Sequence, residues 1–507
     1  MKEEFDVIVV GGGATGLGCA LDSASRGYKT ILLEKDDFGK GTSSKSTKLI
    51  HGGVRYLEQG NIFLVREALL ERKRLLQNAP HLVSNLTFVI PNYETYKGPY
   101  YYTGLKLYDL LSGSGSFGPS KFLSKETVQE LLPNISIEGL KNGISYQDGQ
   151  FDDTRLLISM LCTYTELGGT ALNYTTVNSL IKSKDGKIIG VACDDRVQNQ
   201  NYEFRAKVVI NATGVFTEQF QKLDNPNVSI SVTPSRGSHL VFNQRFLEGH
   251  TALMIPKTSD GRILFAVPWH DHTLVGTTDS YNEVITNDPK VTDEEIDFMI
   301  ETANEYFKHD TKRSDILSCF AGLRPLVTKG NSLDTKSISR SHAISVSESK
   351  LINITGGKWT TYRKMAEDTI DMAVEVSDLK KNICLTSQLK LNHGGTSIEE
   401  KRLKIYGGNA DQIHELEKSD ISMKQKIHDS LPYSMAQVVW ACENEIAQTV
   451  EDVLARRTRA LFLNARAAVE SSDRVATLMQ SVLAKSDEWK KKQVDEFKTL
   501  AQDYIVE

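Results

Sequence analysis

Cysteine is scarce in the chain: six residues in 507, at positions 19, 162, 193, 319, 384 and 442. They are too dispersed for a disulfide framework and none forms a C-x-x-C pair, so reduced thiols in a cytosolic setting are expected, and no metal site is. No apolar run approaches the roughly 20 residues that a membrane span requires. The opening MKEEFDVIVV is acidic and lacks the basic region and apolar core of a targeting peptide. Neither absence excludes peripheral attachment to a membrane surface. Basic excess is lacking too: the net charge is −5, which argues against a general nucleic-acid binder. What remains is ordinary globular material, 40% hydrophobic and 25% charged. The length suits three or four units of about 150 residues each.

Residues 5–10, FDVIVV, form a β-branched run suited to a central parallel strand buried on both faces. GGGATG follows at once, with Gly11, Gly13 and Gly16 in G-x-G-x-x-G spacing. LGCALDSASRG then reads as a helix that keeps Leu17, Ala20, Leu21 and Ala24 on one face and stops at Gly27. A second apolar run, TILLE, ends in Glu34. Small residues let backbone N–H groups and the helix N-terminus face a pyrophosphate, while Glu34 accepts from an adenosine ribose and repels a 2′-phosphate. The glycine pattern alone would also suit a bare turn; strand, glycines, helix, strand and acid in order predict dinucleotide binding.

After Glu34 comes DDFGKGTSSKSTKLIHGG, polar and with little helical period up to residue 61. It reads as a cradle that continues along the cofactor, unlike the regular alternation of an NAD protein of Rossmann type, although a solvated loop would have the same composition. Its end, KLIHGGVRYLEQG, crowds His51, Gly52, Gly53, Arg55 and Tyr56 together. A backbone open to close approach, several donors and a positive charge are the make-up of a loop that holds an anion.

Further on, Asn61 caps a predicted helix through Asn78, with Ile62, Val65, Leu69 and Leu76 on its apolar side and Pro80 ending it. The segment YKGPYYYTGLKLYDLL is aromatic without strongly interleaved basic residues, so its tyrosines are read as packing and not as a nucleic-acid platform. TRLLISMLCTYTE has helical spacing, and 170–183 and 187–194 form a hairpin about KDG. KVVINATG, at 207–214, is a strand whose small final residues let the backbone lie against a ligand, an ending typical of flavoproteins. Residues 230–290 are strand-rich. Thr292 and Glu295 form a capping box before a helix with Ile296, Met299, Ile300, Ala303 and Phe307 on one side, and 351–368 repeat strand, glycine pair and helix. From about 385 the chain is mainly helical, a separate domain. There Arg456, Arg457, Arg459 and Lys490 to Lys492 are interspersed with acids, as on a solvated face.

In this order, FDVIVVGGGATG, GTSSKSTKLIHGGVRYLE, INATG, GLRPL, TGGKWTTYRKMAED and RRTRALFLNARAA closely resemble the FAD-dependent glycerol-3-phosphate dehydrogenase family, from residue 5 to about residue 468. HGGVRYLE and TGGKWTTYRK are the specific segments; the dinucleotide pattern is common to many families. The resemblance implies an α/β and α+β architecture. A Rossmann-like FAD-binding domain (1–85, 151–229, 321–384) is interleaved with an antiparallel-sheet substrate domain (86–150, 230–320) and followed by a helical C-terminal cap domain (385–507). It also implies oxidation of sn-glycerol 3-phosphate to dihydroxyacetone phosphate by hydride transfer from C2 to FAD N5. Electrons would pass to a quinone, with a cytoplasmic protein working at the inner face of the cell membrane and room for a homodimer. The lack of EF-hand spacing and of a transit peptide disfavours the calcium-regulated mitochondrial version.

By the same resemblance the cofactor lies against Gly11, Gly13, Ala14, Thr15, Gly16, Glu34 and Lys35, then Thr42, Ser43, Ser46, Thr47, Leu49, His51 and Gly52. Val177, Ala212, Gly214, Gly357, Lys358, Trp359 and Thr360 complete the set. Arg55, Tyr56, His239, Arg324, Arg340 and Lys358 face the substrate, guanidinium forks suiting phosphate oxygens. His239, with a reference pKa of about 6.5, is the better proton acceptor and Arg324 the better stabiliser of an alkoxide, although family accounts could reverse them. Lys358, at a predicted helix start after Gly356 and Gly357, would support negative charge on the reduced ring. Two positions depart from the family pattern: Arg236, where lysine is usual, and Ser341 after Arg340, where an acid is common. Both weigh on Arg340 more than on Arg55. The alternatives are an oxidase that passes electrons to O2, an amine or 2-hydroxy-acid oxidase on the same architecture, and a flavin-binding sensor without turnover.

Overall fold

In the computed structural model, which describes residues 3–53, 60–94, 97–228, 232–259, 261–327, 342–392, 394 and 402–507, the strand Glu3–Val10 lies between Thr30–Leu33 and Gln200–Asn211, parallel to both. Val7, Ile8 and Val9 are fully buried, as a strand covered on both faces requires. The sheet runs His342–Val346, Ile352–Gly356, Gln200–Asn211, Glu3–Val10, Thr30–Leu33, Thr170–Leu172, and a hairpin of Thr175–Lys182 and Ile188–Asp195 pairs antiparallel onto Gln200–Asn211. The continuous strand expected over 170–183 is broken near Tyr174, whose φ of +56° turns the chain. The first helix begins at Ala14, earlier than the apolar period suggests, and packs against Asp153–Glu166 and Tyr362–Val376 in one core.

The second sheet is antiparallel except where Ala252–Ile255 runs parallel to Val83–Asn92. Its long strand Val232–Asn243 is flanked by His272–Gly276 and Ser280–Tyr281 on one side and Ile316–Val327 on the other. Ile316–Val327 passes through the boundary drawn at 320/321 and pairs in this sheet along its length, and Leu49–Ile50 from the polar cradle pairs here as well. The capping box of Thr292 and Glu295 starts Asp293–Tyr306. Asn61 caps Ile62–Asn78, burying Val65 and Leu69. Ile62 is 50% exposed, because its position in the first turn lies outside the face that packs.

The helical domain is joined to the first sheet by charge. Arg456, Arg457 and Arg459, expected on a solvated face, are buried instead. The turn Asp452–Arg457 is π-helical, with Thr458 N–H donating to Val453 O five residues back, and Arg459 has a left-handed φ of +66°. That backbone turns consecutive arginines inward, which a 3.6-residue period does not anticipate. Arg457 is bidentate on Asp37, at 2.6 and 2.9 Å, and Arg456 shares the same carboxylate while donating to Glu451 and Asp452 at 2.6 Å. Arg155 is likewise bidentate on Glu445, 2.8 Å for each bond. Lys491 and Lys492 are exposed, as expected.

Burial alone would raise the Asp37 carboxyl, but the Arg457 and Arg456 guanidiniums outweigh it and hold the group below the usual carboxylate range. Its contribution to stability is therefore full above an unfolded value of about 3.9 and fades as pH falls through the lower folded value. Replacing Asp37 by Asn leaves two guanidiniums facing a neutral amide. Urea titration at pH 7 should show a loss of about 3 to 5 kcal/mol, the cost of breaking a buried pair from one side. A change within 0.5 kcal/mol would show that the interface does not depend on this carboxylate.

Candidate functional site

A cavity of about 400 Å³ opens at the carboxyl ends of Glu3–Val10 and Gln200–Asn211. Small residues make its floor. A Cβ at Gly16 would lie 1.8 Å from Gly11 O, and Gly11 itself, at φ +110°, sits where a Cβ would meet Ala212 O at 2.5 Å. Gly13 caps the helix without a side-chain bond, and the first turn carries no acid, which leaves the positive helix end open toward the cavity. Ser43 Oγ accepts from Ala14 N–H at 2.9 Å. Glu34 Oε2 accepts from Gly12 N–H at 2.6 Å and Oε1 from Asp36 N–H at 2.8 Å, yet burial lifts its carboxyl to about 7. These features fit an elongated dinucleotide whose pyrophosphate meets the glycine turn and whose ribose meets Glu34.

Of the residues that the sequence suggests for the cofactor, Gly11, Gly13, Ala14, Thr15, Glu34, Lys35, Thr42, Ser43, Val177, Ala212, Gly214, Gly357, Lys358 and Trp359 line the cavity. Gly16 lies beneath the floor. The rest hold the wall in place from behind. Ser46 donates to Asp153 through N–H and Oγ, Thr47 meets His239, Leu49 is buried in its strand, Gly52 N–H donates to Tyr108 Oη at 2.8 Å, and Thr360 Oγ1 bonds the backbone of His51 at 3.3 and 3.4 Å. Trp359 Nε1 donates to Ser43 O at 2.9 Å, tying the Gly356–Gly357 turn to the cradle. Arg55, Tyr56, Arg340 and Ser341 lie outside the described residues. Phe216, Phe220, Asn287 and Pro325 also line the cavity. Phe216 follows the ATG ending, where its nearness could have been read, whereas Asn287 comes from a loop of the other sheet with no local signal.

His239 and Arg324 share a corner of the second sheet, on paired strands. His239 does not line the cavity; it is 2% exposed, stacks on Phe320 with centroids 4.9 Å apart, and places Nε2 2.9 Å from Thr47 Oγ1. Gly276 admits the ring, since a Cβ there would sit 2.3 Å from His239 Cδ2. Burial, then Lys48 and Arg324, draw the imidazole well below its ordinary value of 6.5, so it is neutral at physiological pH. The Arg324 guanidinium lies over Gly237 and donates to Thr277 Oγ1 at 3.0 Å and Thr278 O at 3.2 Å. The next residue, Pro325, is part of the cavity wall, so this strand leads from the cationic corner to the cavity. Arg236, one of the departures from the family pattern, pairs with Glu295 at 3.1 Å.

Residues 6–363 match the family model described as FAD dependent oxidoreductase, and residues 347–491 the model described as C-terminal domain of alpha-glycerophosphate oxidase. The mitochondrial glycerol-3-phosphate dehydrogenase of Bos taurus is 40% identical over 529 residues, covering 97% of this chain and 72% of that protein. Its Arabidopsis thaliana counterpart is 36% identical, covering 97% and 84%. The crystal structure of glycerol-3-phosphate dehydrogenase from Bacillus halodurans with FAD superposes with a TM-score of 0.81 at 29% identity, covering 99% of this chain and 95% of that one. The L-alpha-glycerophosphate oxidase of Mycoplasma pneumoniae, at 18% identity and a TM-score of 0.57, shares the fold over 77% of this chain and 99% of that one. The cofactor is FAD. Gly16→Ala would force Cβ into Gly11 O and should yield protein without flavin absorbance; a variant that purifies yellow would remove the close approach from the account. With one family model spanning most of the chain and relatives aligned over nearly all of it, the chain belongs to the FAD-dependent glycerol-3-phosphate dehydrogenase family.

Proposed function

We propose that the chain oxidises sn-glycerol 3-phosphate to dihydroxyacetone phosphate and passes the electrons to a quinone. The observation that carries this reading is the strand Ile316–Val327, which supplies Arg324 to the His239 corner and Pro325 to the wall of the FAD cavity. The relatives named as glycerol-3-phosphate dehydrogenases supply the substrate. The division into flavin segments (1–85, 151–229, 321–384), substrate segments (86–150, 230–320) and a helical domain (385–507) belongs to the same reading.

Bound FAD supplies the two-electron acceptor for the hydride that leaves C2. The O–H bond at C2 breaks in the same oxidation, and its proton passes to His239. Nδ1 is the ring nitrogen for this role: Nε2 is engaged by Thr47, while Nδ1 is buried with no hydrogen-bond partner among the described residues. A neutral imidazole is the form that accepts a proton. Arg324, in its net of Thr277 and Thr278, steadies negative charge on the oxygen as the proton leaves. Lys358, in the cavity wall, together with Arg55, Tyr56 and Arg340, meets the phosphate dianion.

The quinone places the reaction at a membrane surface, the inner face of the cell membrane. Among the described residues no helix is long and apolar enough to cross a membrane. Two packed helices, Ile62–Asn78 and Lys97–Ser112, instead expose Phe63 at 75% and Leu110 at 76%, with Ile62, Leu70 and Leu107 and with Arg66, Lys73 and Lys106 on the same helices. Apolar side chains beside basic ones suit an anionic lipid interface. A second reading, transfer to O2, draws on the oxidase named by the C-terminal family model.

Anaerobic mixing with glycerol 3-phosphate should bleach the flavin, and glycerol should not. Lys358→Met should slow bleaching at least tenfold and weaken substrate affinity with FAD retained; bleaching by glycerol alone, or a colourless variant, would count against this assignment. Quinone-analogue reduction should exceed peroxide release, the reverse favouring the oxidase. Phe63→Glu with Leu110→Glu should abolish cosedimentation with anionic vesicles and leave bleaching intact. Undiminished cosedimentation would move the contact elsewhere.

A further inference from the structure

The turn that follows Ser44 carries a buried lysine that no step above uses. Lys48 is fully buried with a left-handed φ of +63°, a conformation a lysine keeps only where its surroundings impose it. Its Nζ donates to Asp153 Oδ2 and to Ser44 O, each at 2.7 Å, and lies 5.2, 5.0 and 5.6 Å from the ring centres of Trp269, Phe320 and Phe462. Lys48 N–H donates to Ser46 Oγ at 3.0 Å, and Ser46 Oγ in turn donates to Asp153 Oδ2 at 2.7 Å. Ser46 and Lys48 are thereby locked on one carboxylate, and Thr47 between them faces His239 Nε2 at 2.9 Å. His239 stacks on the same Phe320 ring that Lys48 approaches.

We propose that Lys48 is a positioning residue for the oxidation: locked on Asp153, its ammonium holds the Thr47 hydroxyl on His239 Nε2 and sets a positive charge near the imidazole. The inference rests on His239 as proton acceptor. The charged groups acting on His239 are Lys48, from the cradle, and Arg324, from the neighbouring strand; both are cations, and after burial they are what draws its pKa down. Those acting on Lys48 are Asp153, Asp152 and Arg459. Burial pulls the ammonium down to about 7, Asp153 supporting the charge and Arg459 opposing it. The charge is thus in place below neutrality, where an ordinary histidine would begin to protonate and cease to be a base. Removing it raises the histidine pKa, so the loss of rate on acidification must begin at higher pH.

The test is anaerobic flavin bleaching by saturating glycerol 3-phosphate between pH 5 and 8, in FAD-loaded wild type, His239→Gln, Lys48→Met and Thr47→Val. The substrate phosphate titrates alike in all four, so differences belong to the protein. His239→Gln should be slowed by about a hundredfold or more; wild-type speed there would overturn the proton-acceptor reading itself and this inference with it. Given a slow His239→Gln, Lys48→Met should retain FAD and lose rate toward acid with a midpoint about one pH unit or more above that of wild type. An unmoved acid limb overturns the role of Lys48. Thr47→Val, with the charge left in place, should be about tenfold slower or more with the wild-type pH course. If Lys48→Met fails to hold FAD, this second variant decides, and wild-type rates in it overturn the proposal.

Discussion

Two buried carboxylates, Asp37 and Asp153, hold the active region together. Asp37, just past the second strand, carries Arg456 and Arg457 of the helical domain; Asp153, at the head of Asp153–Glu166, carries Lys48 and Arg459. Between them lie residues 36 to 48 of the polar cradle, a stretch with hardly any regular structure of its own. Its conformation is set at both ends by ion pairs to elements more than a hundred residues away. A charge buried without its partner costs several kcal/mol, so removing either member of these pairs is strongly unfavourable.

Everything chemical follows from where that cradle lies. Its Ser43 meets the helix start at Ala14 and the indole of Trp359, closing the cavity around the glycine turn. Its Thr42 donates to Leu323 O on the strand that bears Arg324, and its Thr47 reaches His239 on the strand beside it. One irregular segment therefore touches both sheets, and the FAD wall and the imidazole–guanidinium corner are referenced to the same backbone. Among the described residues the charged groups that act on His239 are two cations, Lys48 and Arg324. These charges keep the imidazole neutral, and under the proposed function the same charges suit a dianionic substrate.

Much of this was legible in the residue pattern where the cause is local. FDVIVV, the G-x-G-x-x-G turn and Glu34 lie within a single strand–helix–strand unit, and Asn61 and Thr292 cap the helices they announce. The arginines were not legible as buried groups. Alternating charge implies a wet face only if the helix has its usual period, and at Asp452–Arg457 the wide turn and the left-handed Arg459 bring three guanidiniums inward toward acids that a short window cannot see. Asn287 in the cavity wall fails for the same reason, since the other sheet delivers it. The strand Ile316–Val327 belongs to one sheet and walls the cavity of the other, so a cut at residue 320 divides a continuous element. His239 was recognisable as a chemical candidate by family resemblance; its bond to Thr47 and its neighbour Lys48 follow from a register between distant strands and a cradle that no periodicity encodes.

The central claim is that this arrangement breaks the C2–H bond of a phosphorylated alcohol against bound FAD. Its most direct test is the rate of anaerobic flavin bleaching with glycerol 3-phosphate carrying deuterium at C2. The account predicts that bleaching at saturating substrate slows several-fold on deuteration. Equal rates with the two isotopologues, or bleaching that requires no C2 hydrogen, would contradict it.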